Sequence, residues 1–529
     1  MDLIEGSCCV VTVSQSATEQ RAFGCSGVIL NYQTGMIICN GFPFSRFMNH
    51  KAPGASHCRF LLPDTFTANL DIHIHLPARR EVKTNVIPNI NSPFPHKAKV
   101  MMLVNCLEFN MGFHTLFQES DSWKFHNDDG MEELIKESRF LSWFAVLKTD
   151  FEDSCRSSIN IPCAESSSLR KGSAVVACGS PFGSLCPDLF TNTLSTGIVS
   201  NLYGEDNAVI LTDARCLPGT EGGGLFVMES DDHAHLVGVI VSSLCWKGVE
   251  WIGLTLVCSV QLILRNIRDI TDRINVESTL IALNCLHGGA PEGPRLLNTA
   301  SSSFSSSKLR KYPTVCLIDS GQFWGSGVMV ASRLALTCRH VVNGKKTVTL
   351  KFHHKGRFHV VMGDVLFSTK PSSSYDFAVV QLRDSAPVVV VPVVAKSFQP
   401  GEEVVVVGYG GLGKNCGPSL TGGILSKVVN WDRIPVMLQT TCAVQAGASG
   451  GAVVRKHSGE LLGIVASNTR DCAANVTYPH LNFSIPATVF QPLLEHFNQS
   501  GNTEAFRDLD ASDAGIRRVW RLQNAPSKL

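Results

Sequence analysis

Hydrophobic residues in this chain occur in short continuous or alternating runs that end at Gly, Pro, Asn or Asp. Such runs are typical of β-strands joined by turns. Helical periodicity is confined to two stretches near the C-terminal end, residues 487–497 and residues 512–522. We therefore predict an all-β protein with short C-terminal helices. The clearest predicted strands are 327–330, 347–352, 377–382, 403–407 and 461–466.

The two halves of the chain repeat one another. Five motifs of the first half recur in the same order in the second half. A Gly-, Pro- and Ser-rich stretch, 286–311, separates the halves, as an interdomain linker does. We therefore predict a duplicated fold with a first module over 1–285, the linker, a second module over 312–500 and a tail over 501–529. The matched motifs are 26–30 with 326–330, 144–146 with 377–379, 171–200 with 401–426, 219–223 with 447–451, and 236–241 with 461–466.

Composition narrows the class of protein. The chain has 529 residues, and its formal charge is only +1, which argues against a partner bound through bulk charge, such as nucleic acid. The apolar runs are far shorter than the ~18 residues of a membrane span. The 19 cysteines are odd in number and include no C-x-x-C pair, and the N-terminus does not resemble a signal peptide. We expect an intracellular protein with reduced thiols.

The last three residues, Ser527, Lys528 and Leu529, form the tripeptide that a peroxisomal import receptor reads at a free C-terminus. A chance occurrence is the alternative, but it is rare at one fixed place. We expect the protein to lie in the peroxisomal matrix and to bind that receptor.

Three residues of the second half suggest nucleophilic chemistry. His340 follows one apolar run, Asp376 opens another, and Ser449 lies in a glycine-rich turn. A serine hydroxyl needs an imidazole to take its proton, and the imidazole needs a carboxylate to orient it. The N–H groups of Gly447 and Ser449 are placed to form an oxyanion hole. Each residue alone has a structural alternative, as a core histidine, a strand cap or a turn residue; together they favour a catalytic triad.

These motifs resemble those of chymotrypsin-fold serine proteases, and of their Deg/HtrA branch in particular. The second half carries the strand and histidine motifs at 325–328 and 336–342, and the first half carries further motifs of the branch at 179–183, 195–200 and 212–223. The resemblance implies two tandem modules, each a pair of six-stranded antiparallel β-barrels, and no cofactor or metal. In the first module Gly41 or a near neighbour, Trp143 and Glu221 occupy the positions of His, Asp and Ser, which implies a catalytically dead pseudoprotease.

The resemblance also predicts a substrate pocket. The strands that wall it in this fold contain no acidic residue here, so we expect a small neutral pocket for Cys, Ala, Ser or Val before the scissile bond. Ala448 replaces the Asn or Asp that usually precedes the nucleophile, which makes the active-site loop depend on other contacts for its order. The predicted pocket residues are Ala443, Val444, Val465 and Ala466.

Two further groups of residues suggest a metal site and a reactive thiol. His73 and His75 alternate along one predicted strand and suggest half of a metal site, although an exposed strand face is the simpler interpretation. Cys338 stands two residues before His340, so its alkylation is expected to displace the catalytic base.

Together with the terminal tripeptide, the chain resembles the peroxisomal processing members of the branch. The resemblance implies an endopeptidase that removes N-terminal leaders from imported enzymes and processes some C-terminally targeted ones. It also implies homo-oligomers and self-cleavage, at 104–109 or in the linker, with association of the cleavage products. The alternatives are a general quality-control protease and a non-catalytic scaffold for matrix proteins.

Overall fold

We describe the protein from a computed structural model. The structure describes residues 1–15, 23–48, 58–66, 70–77, 95–118, 123–124, 140–151, 162–182, 190–230, 233–243, 246–247, 250–274, 312–354, 356–412, 416–471 and 476–520. The predicted linker 286–311 and the terminal Ser527, Lys528 and Leu529 lie outside these residues. The chain forms two compact units. Unit 1 comprises Met1–Cys245 with Leu254–Leu296, and unit 2 comprises Trp246–Gly253 with Leu297–Leu529.

Strands dominate the first half of the chain. Its helices are α1 (Asp2–Glu5), α2 (Phe42–Ser45), α3 (Leu107–Leu116) and α4 (Val260–Ile274). Its strands are β1 (Cys8–Ser14), β2 (Phe23–Asn31), β3 (Met36–Asn40), β4 (Phe60–Leu61), β5 (Asp71–His75), β6 (His96–Asn105), β7 (Trp123–Lys124), β8 (Trp143–Thr149), β9 (Ala174–Gly179), β10 (Thr193–Tyr203), β11 (Val209–Thr212), β12 (Gly224–Ser230), β13 (His233–Ser242), β14 (Trp246–Lys247), β15 (Glu250–Trp251) and β16 (Thr255–Ser259).

The second half has the same character. Its helices are α5 (Arg339–Val342), α6 (Ala487–Ser500) and α7 (Ala514–Trp520). Its strands are β17 (Val315–Asp319), β18 (Trp324–Ala331), β19 (Leu334–Thr337), β20 (Thr347–His354), β21 (Arg357–Ser368), β22 (Ala378–Leu382), β23 (Glu403–Gly408), β24 (Ser419–Trp431), β25 (Ile434–Thr440), β26 (Ala452–Arg455), β27 (Leu461–Asp471) and β28 (Val476–Pro486). Single-turn 3₁₀ segments lie at Pro63–Thr65, Ser166–Ser168 and Glu205–Asn207, and a longer one at Thr503–Asp510.

The strands close into four six-stranded antiparallel barrels, two in each unit, which confirms the predicted fold. The barrels of unit 1 run β1-β2-β3-β8-β6-β5, with β4 added beside β6, and β9-β10-β11-β16-β13-β12. Those of unit 2 run β17-β18-β19-β22-β21-β20 and β23-β24-β25-β28-β27-β26. Numbered within each barrel, all four have the order 1-2-3-6-5-4. Closure leaves no unpaired sheet edge in the barrel wall.

Alternation of side chains places the core inside each barrel. In β20, every second residue from Val348 to Phe352 is buried and its neighbours are at least partly exposed, as the period of two of a strand requires. Strands buried on both faces read as continuous apolar runs, as in β8 of unit 1. The first barrel encloses one large cluster that includes Phe44, Trp143 and Phe151.

The two predicted C-terminal helices are present as α6 and α7. Phe490 of α6 stacks on Phe377 at 5.5 Å between ring centroids, which attaches the helix to the barrel of β22. The sequence interpretation missed two helices of unit 1, α3 and α4. Helix α4 follows β16 directly. Ser259 is a residue type favoured before a helix, but the apolar run of β16 continues past it into the helix and obscures the boundary.

The proposed cleavage stretch 104–109 is not exposed, contrary to the expectation from sequence. Val104, Cys106 and Phe109 are fully buried where β6 ends and α3 begins. Glu108 accepts hydrogen bonds from Arg265 at 2.8 Å and from Asn266 at 2.7 Å. A protease needs an extended, accessible segment, so this stretch is ruled out as a cleavage site in the folded chain.

Candidate active site

His340 and Asp376 lie side by side in unit 2. Strand β19 ends at Thr337, which pairs with Ala378 of β22. Helix α5 and Asp376, two residues before β22, therefore meet at one end of the barrel. The Nδ1 of His340 lies 2.5 Å from Oδ2 of Asp376, and the backbone N–H of His340 donates to Oδ1 at 3.1 Å. The carboxylate therefore fixes both the imidazole ring and the backbone that carries it.

The charge state of Asp376 suits this role. Burial raises the pKa of the Asp376 carboxyl, but the hydrogen bond from His340, with the charges of His340 and Arg339, outweighs it and lowers the pKa overall. The guanidinium Nε of Arg339 lies 3.8 Å from Oδ1. Asp376 is therefore an ionised acceptor at neutral pH, as the orienting member of a triad must be.

Ser449 lies on a tight turn whose backbone is fixed by Ser326. The carbonyl of Ser449 accepts from the N–H of Ser326 at 2.8 Å. The Ser326 hydroxyl donates to the carbonyl of Gly447 at 2.8 Å and accepts from the N–H of Tyr409 at 2.8 Å. Gly447 has φ of 93° and Gly450 has φ of 86°, a region that favours glycine.

One open cleft of about 720 Å³ brings these side chains together. All four predicted pocket residues are buried. Val444 and Ala466 line the cleft, whereas Ala443 and Val465 do not. Sequence reasoning missed Lys247 and Glu250, which belong to unit 2 although they precede the second module by more than 60 residues. The lining residues are Lys247, Glu250, His340, Asp376, Val444, Gln445, Ala446, Ser449, Ala466, Ser467, Asn468 and Thr477.

Unit 1 contains the same turn with a different side chain at its centre. Ser26 takes the place of Ser326: its N–H donates to the carbonyl of Glu221 at 2.9 Å and its hydroxyl to the carbonyl of Gly219 at 2.7 Å. The hydroxyl also accepts from the N–H of Ser180 at 2.7 Å. Gly222 donates to Ile240 as Gly450 donates to Val465. This matched set of bonds places Glu221 at the position of Ser449.

The Glu221 side chain folds back onto its own turn. Its Oε2 accepts from the N–H of Gly219 at 2.7 Å, the counterpart of the Gly447 N–H. Its Oε1 accepts from the backbone N–H of Ser243 at 3.2 Å and from the Ser243 hydroxyl at 2.5 Å. A carboxylate thus satisfies the N–H group that would bind an oxyanion in an active module.

Strand register identifies the other two positions in unit 1. Cys39 pairs with Ala145, as Thr337 pairs with Ala378. Asp376 lies two residues before Ala378, and Trp143 lies two residues before Ala145, so Trp143 occupies the position of Asp376. His340 lies three residues after Thr337, and Phe42 lies three residues after Cys39. Phe42 therefore occupies the position of His340, one residue beyond the Gly41 named from sequence. Trp143 is fully buried, and neither aromatic side chain can exchange a proton.

Cys338 does not offer the accessible thiol that the sequence suggested. The side chain is fully buried, and its Sγ donates to the carbonyl of Val465 at 3.2 Å. Burial, with the charge of Asp376, raises the pKa of the thiol well above its usual range, which removes the reactive thiolate. The expected alkylation at this site is therefore wrong for the folded protein.

The histidines of β5 have protein partners. His73 lies 3.0 Å from Asp71, and His75 lies 3.2 Å from the hydroxyl of Thr12. Within the described ranges, the only cluster of His, Cys, Asp and Glu close enough to share a metal ion is Cys338, His340 and Asp376. Two of these three, His340 and Asp376, belong to the predicted triad, and the third is the buried thiol beside them.

Comparison with known proteins agrees with this geometry. The sequence profile of the trypsin-like peptidase domain matches residues 325–464. The peroxisomal leader peptide-processing protease of Mus musculus is 38% identical and covers 100% of this chain and 98% of its own length. The chain belongs to the family of peroxisomal leader peptide-processing proteases. It is a serine protease, and its substrates are proteins.

The chain is similar to further known proteins. The human peroxisomal leader peptide-processing protease is 38% identical over 99% of this chain and 97% of its own length. A crystal structure of the serine endoprotease from Yersinia pestis is 24% identical, covering 38% of this chain and 68% of that one with a TM-score of 0.30. No helix in the described part of the chain is long and apolar enough to cross a membrane.

Proposed function

We propose that this protease acts in the peroxisomal matrix, where it removes N-terminal targeting leaders from imported enzymes and processes some C-terminally targeted ones. The observation that carries the proposal is the cleft of unit 2, which His340, Asp376 and Ser449 line together. The names of the full-length relatives support the substrate and the compartment.

The proposed mechanism is acyl transfer. The Ser449 hydroxyl attacks the scissile carbonyl while His340 takes its proton, and Asp376 holds the imidazole and stabilises its charged form. His340 then protonates the leaving amine, and the C–N bond breaks to give an acyl-enzyme. Water, deprotonated by His340, attacks the ester, which releases the new carboxyl end and returns the proton to Ser449. The mechanism needs no cofactor.

The N–H groups of Gly447 and Ser449 are the proposed donors to the tetrahedral oxyanion. The left-handed φ of Gly447 turns its N–H in the direction that the loop requires. A Cβ at this position would lie 2.3 Å from the ring of Trp324, so only glycine fits. Removal of one such donor typically costs about 10²–10³ in kcat.

The side chain before the scissile bond is proposed to enter a small pocket whose wall includes Val444 and Ala466. These side chains are apolar and buried, which favours Cys, Ala, Ser or Val over a long charged residue. The acidic Glu250 and the basic Lys247 line the cleft as well.

The partners follow from the sequence. Ser527, Lys528 and Leu529 are proposed to bind the peroxisomal import receptor. We also propose homo-oligomers, and self-cleavage in or after the first module followed by association of the products. Because 104–109 is buried, the linker 286–311 is the remaining candidate for the cut.

Two other functions can be separated by experiment. A quality-control protease would degrade an unfolded casein-type substrate faster than a folded precursor, and a scaffold would not react with a fluorophosphonate. The favoured function predicts cleavage of the folded precursor at one site and labelling at Ser449.

The deciding test compares Ser449→Ala with Glu221→Ala, its counterpart in unit 1. Ser449→Ala is expected to abolish leader removal and fluorophosphonate labelling, because no nucleophile remains. Glu221→Ala is expected to retain both, since unit 1 has no triad. Mass spectrometry of matrix-protein N-termini gives the readout. Processing at the wild-type rate by Ser449→Ala would refute the triad.

A further inference from the structure

A short segment from the first half of the sequence forms part of unit 2. Trp246–Gly253 clusters with the second half of the chain, and its strands β14 and β15 pair Lys247 with Glu250. The ring of Trp251 meets that of His480 edge-on at 5.8 Å. Gly253 has φ of 69°, and a Cβ there would lie 3.1 Å from His480 and Pro479. The segment is therefore attached to β28, next to the cleft.

This segment bonds to the residues that lead into the oxyanion hole. Oε1 of Glu250 accepts from the backbone N–H of Ala446 at 2.9 Å and from the side-chain amide of Asn468 at 3.2 Å. The carbonyl of Ile252 accepts from the side-chain amide of Gln445 at 2.7 Å. Gln445 and Ile252 are both buried, so their bond is shielded from water and the loss of either partner is costly.

The held residues directly precede Gly447, a proposed oxyanion donor. The orientation of the Gly447 N–H depends on the backbone of Gln445 and Ala446. Ala448, on the other side of Gly447, has no polar side chain with which to hold the loop, and only its backbone bonds locally: its N–H donates to the carbonyl of Gln445 at 3.0 Å and its carbonyl accepts from the N–H of Gly451 at 2.8 Å. Glu250 and Ile252 supply side-chain and main-chain acceptors that this loop cannot provide for itself.

In unit 1 a different carboxylate bonds to the corresponding turn. There the carboxylate of Glu221 bonds the N–H of Gly219 and both donor groups of Ser243. By strand register Ser243 corresponds to Asn468, since Ile240 corresponds to Val465. Each unit thus links its nucleophile loop to the following strand through one carboxylate, but only in unit 2 does that carboxylate leave the serine position free.

We propose that Glu250 and Ile252 are positioning residues for the reaction, which hold Gln445 and Ala446 so that the N–H of Gly447 faces the oxyanion. This inference rests on the proposed function of Ser449 and Gly447. An inhibitory plug is the competing role for the segment. The cleft, however, is open at about 720 Å³ with Glu250 as part of its wall, and the side chain of His340 is 48% exposed.

The test uses the full chain with three substitutions at one position. Glu250→Gln keeps the reach and the Oε1 acceptor but loses the charge. Glu250→Asp keeps the charge but withdraws the acceptor by one methylene, and Glu250→Ala removes it. Glu495→Ala, on the exposed face of α6, is the matched control. For each variant, kcat and KM are measured on a leader-derived peptide, with the affinity for a peptide aldehyde, whose adduct with Ser449 carries the oxyanion.

Positioning predicts that Glu250→Ala and Glu250→Asp lower kcat roughly tenfold, less than the loss of a donor itself. KM should change by less than about twofold, and aldehyde affinity should fall by the same factor as kcat. Glu250→Gln and Glu495→Ala should stay within about twofold of wild type. Equal melting temperatures would exclude misfolding, and if Glu250→Ala fails to fold, the contrast between Glu250→Asp and Glu250→Gln decides.

Three results would overturn the inference. Wild-type kinetics in Glu250→Ala would show that the contacts are dispensable, and a faster Glu250→Ala would identify a plug. A loss in Glu250→Gln that matches Glu250→Ala would assign the effect to charge. If Ser449→Ala, measured in parallel, remained active, the proposed function would fail instead.

Discussion

At the residue scale, the pocket sets the preference for the substrate. Its walls at Val444 and Ala466 are apolar. Of the two carboxylates that line the described part of the cleft, Glu250 already accepts from Ala446 and Asn468, and Asp376 is bonded to His340. A buried apolar pocket penalises a charged side chain that finds no partner. Specificity should therefore depend on size and not on charge.

We expect peptides with Cys, Ala, Ser or Val before the scissile bond to be cleaved at least tenfold faster, by kcat/KM, than matched peptides with Arg or Lys, a difference of ~1.4 kcal/mol. A peptide series varied at that single position measures it. A tenfold preference for Arg or Lys would instead show that Glu250 pairs with the substrate.

At the element scale, one strand residue in each unit holds the nucleophile turn in place by hydrogen bonds. Ser326 of β18 and Ser26 of β2 lie in equivalent strands of equivalent barrels and make the same three bonds. Two go to the turn, and the third comes from the N–H of Tyr409 in unit 2 and of Ser180 in unit 1. Both side chains are fully buried, so removal of either hydroxyl leaves a donor and an acceptor without their partner. The turn therefore forms in both units, whether or not its central residue is a serine.

Ser326→Ala and Ser26→Ala form a matched pair. Each should lower the free energy of unfolding of its own unit by about 1–3 kcal/mol, measured by urea denaturation. Only Ser326→Ala should also reduce kcat, because only its turn carries Ser449. A comparable loss of activity in Ser26→Ala would contradict this separation of stability from catalysis.

At the scale of the whole molecule, the two units share one barrel topology, and the proposed triad lies in unit 2. Unit 1 keeps the barrels, the turn and its glycines, but Phe42, Trp143 and Glu221 occupy the three reactive positions. A single substitution cannot restore activity there, because a serine without base and orienting carboxylate is a weak nucleophile.

We therefore expect the double variant Glu221→Ser with Ser449→Ala to show no fluorophosphonate labelling, whereas Glu221→Ser alone should label at the wild-type level. Labelling of the double variant would mean that unit 1 supplies a base from elsewhere. Intact-mass analysis before and after the reagent distinguishes these outcomes.

The sequence alone was sufficient for the features that depend on local pattern. Alternating apolar runs predicted the strands, because a pleated strand exposes every second residue. The order of His340, Asp376 and Ser449 along recognisable motifs predicted the triad, and Glu221 and Trp143 marked the inactive half. Helix α4 was missed although Ser259 precedes it, because the apolar run of β16 continues into the helix.

Other features depended on contacts between residues far apart in the chain, and only the tertiary structure decided them. The burial of Cys338 and of 104–109 follows from packing against strands that no local pattern reveals. Register, not motif spacing, moved the histidine position from Gly41 to Phe42. Glu250 is separated from Ala446 by 196 residues, and only folding brings its carboxylate to the oxyanion loop, because a hydrogen bond requires atoms about 3 Å apart and sequence order fixes no such distance.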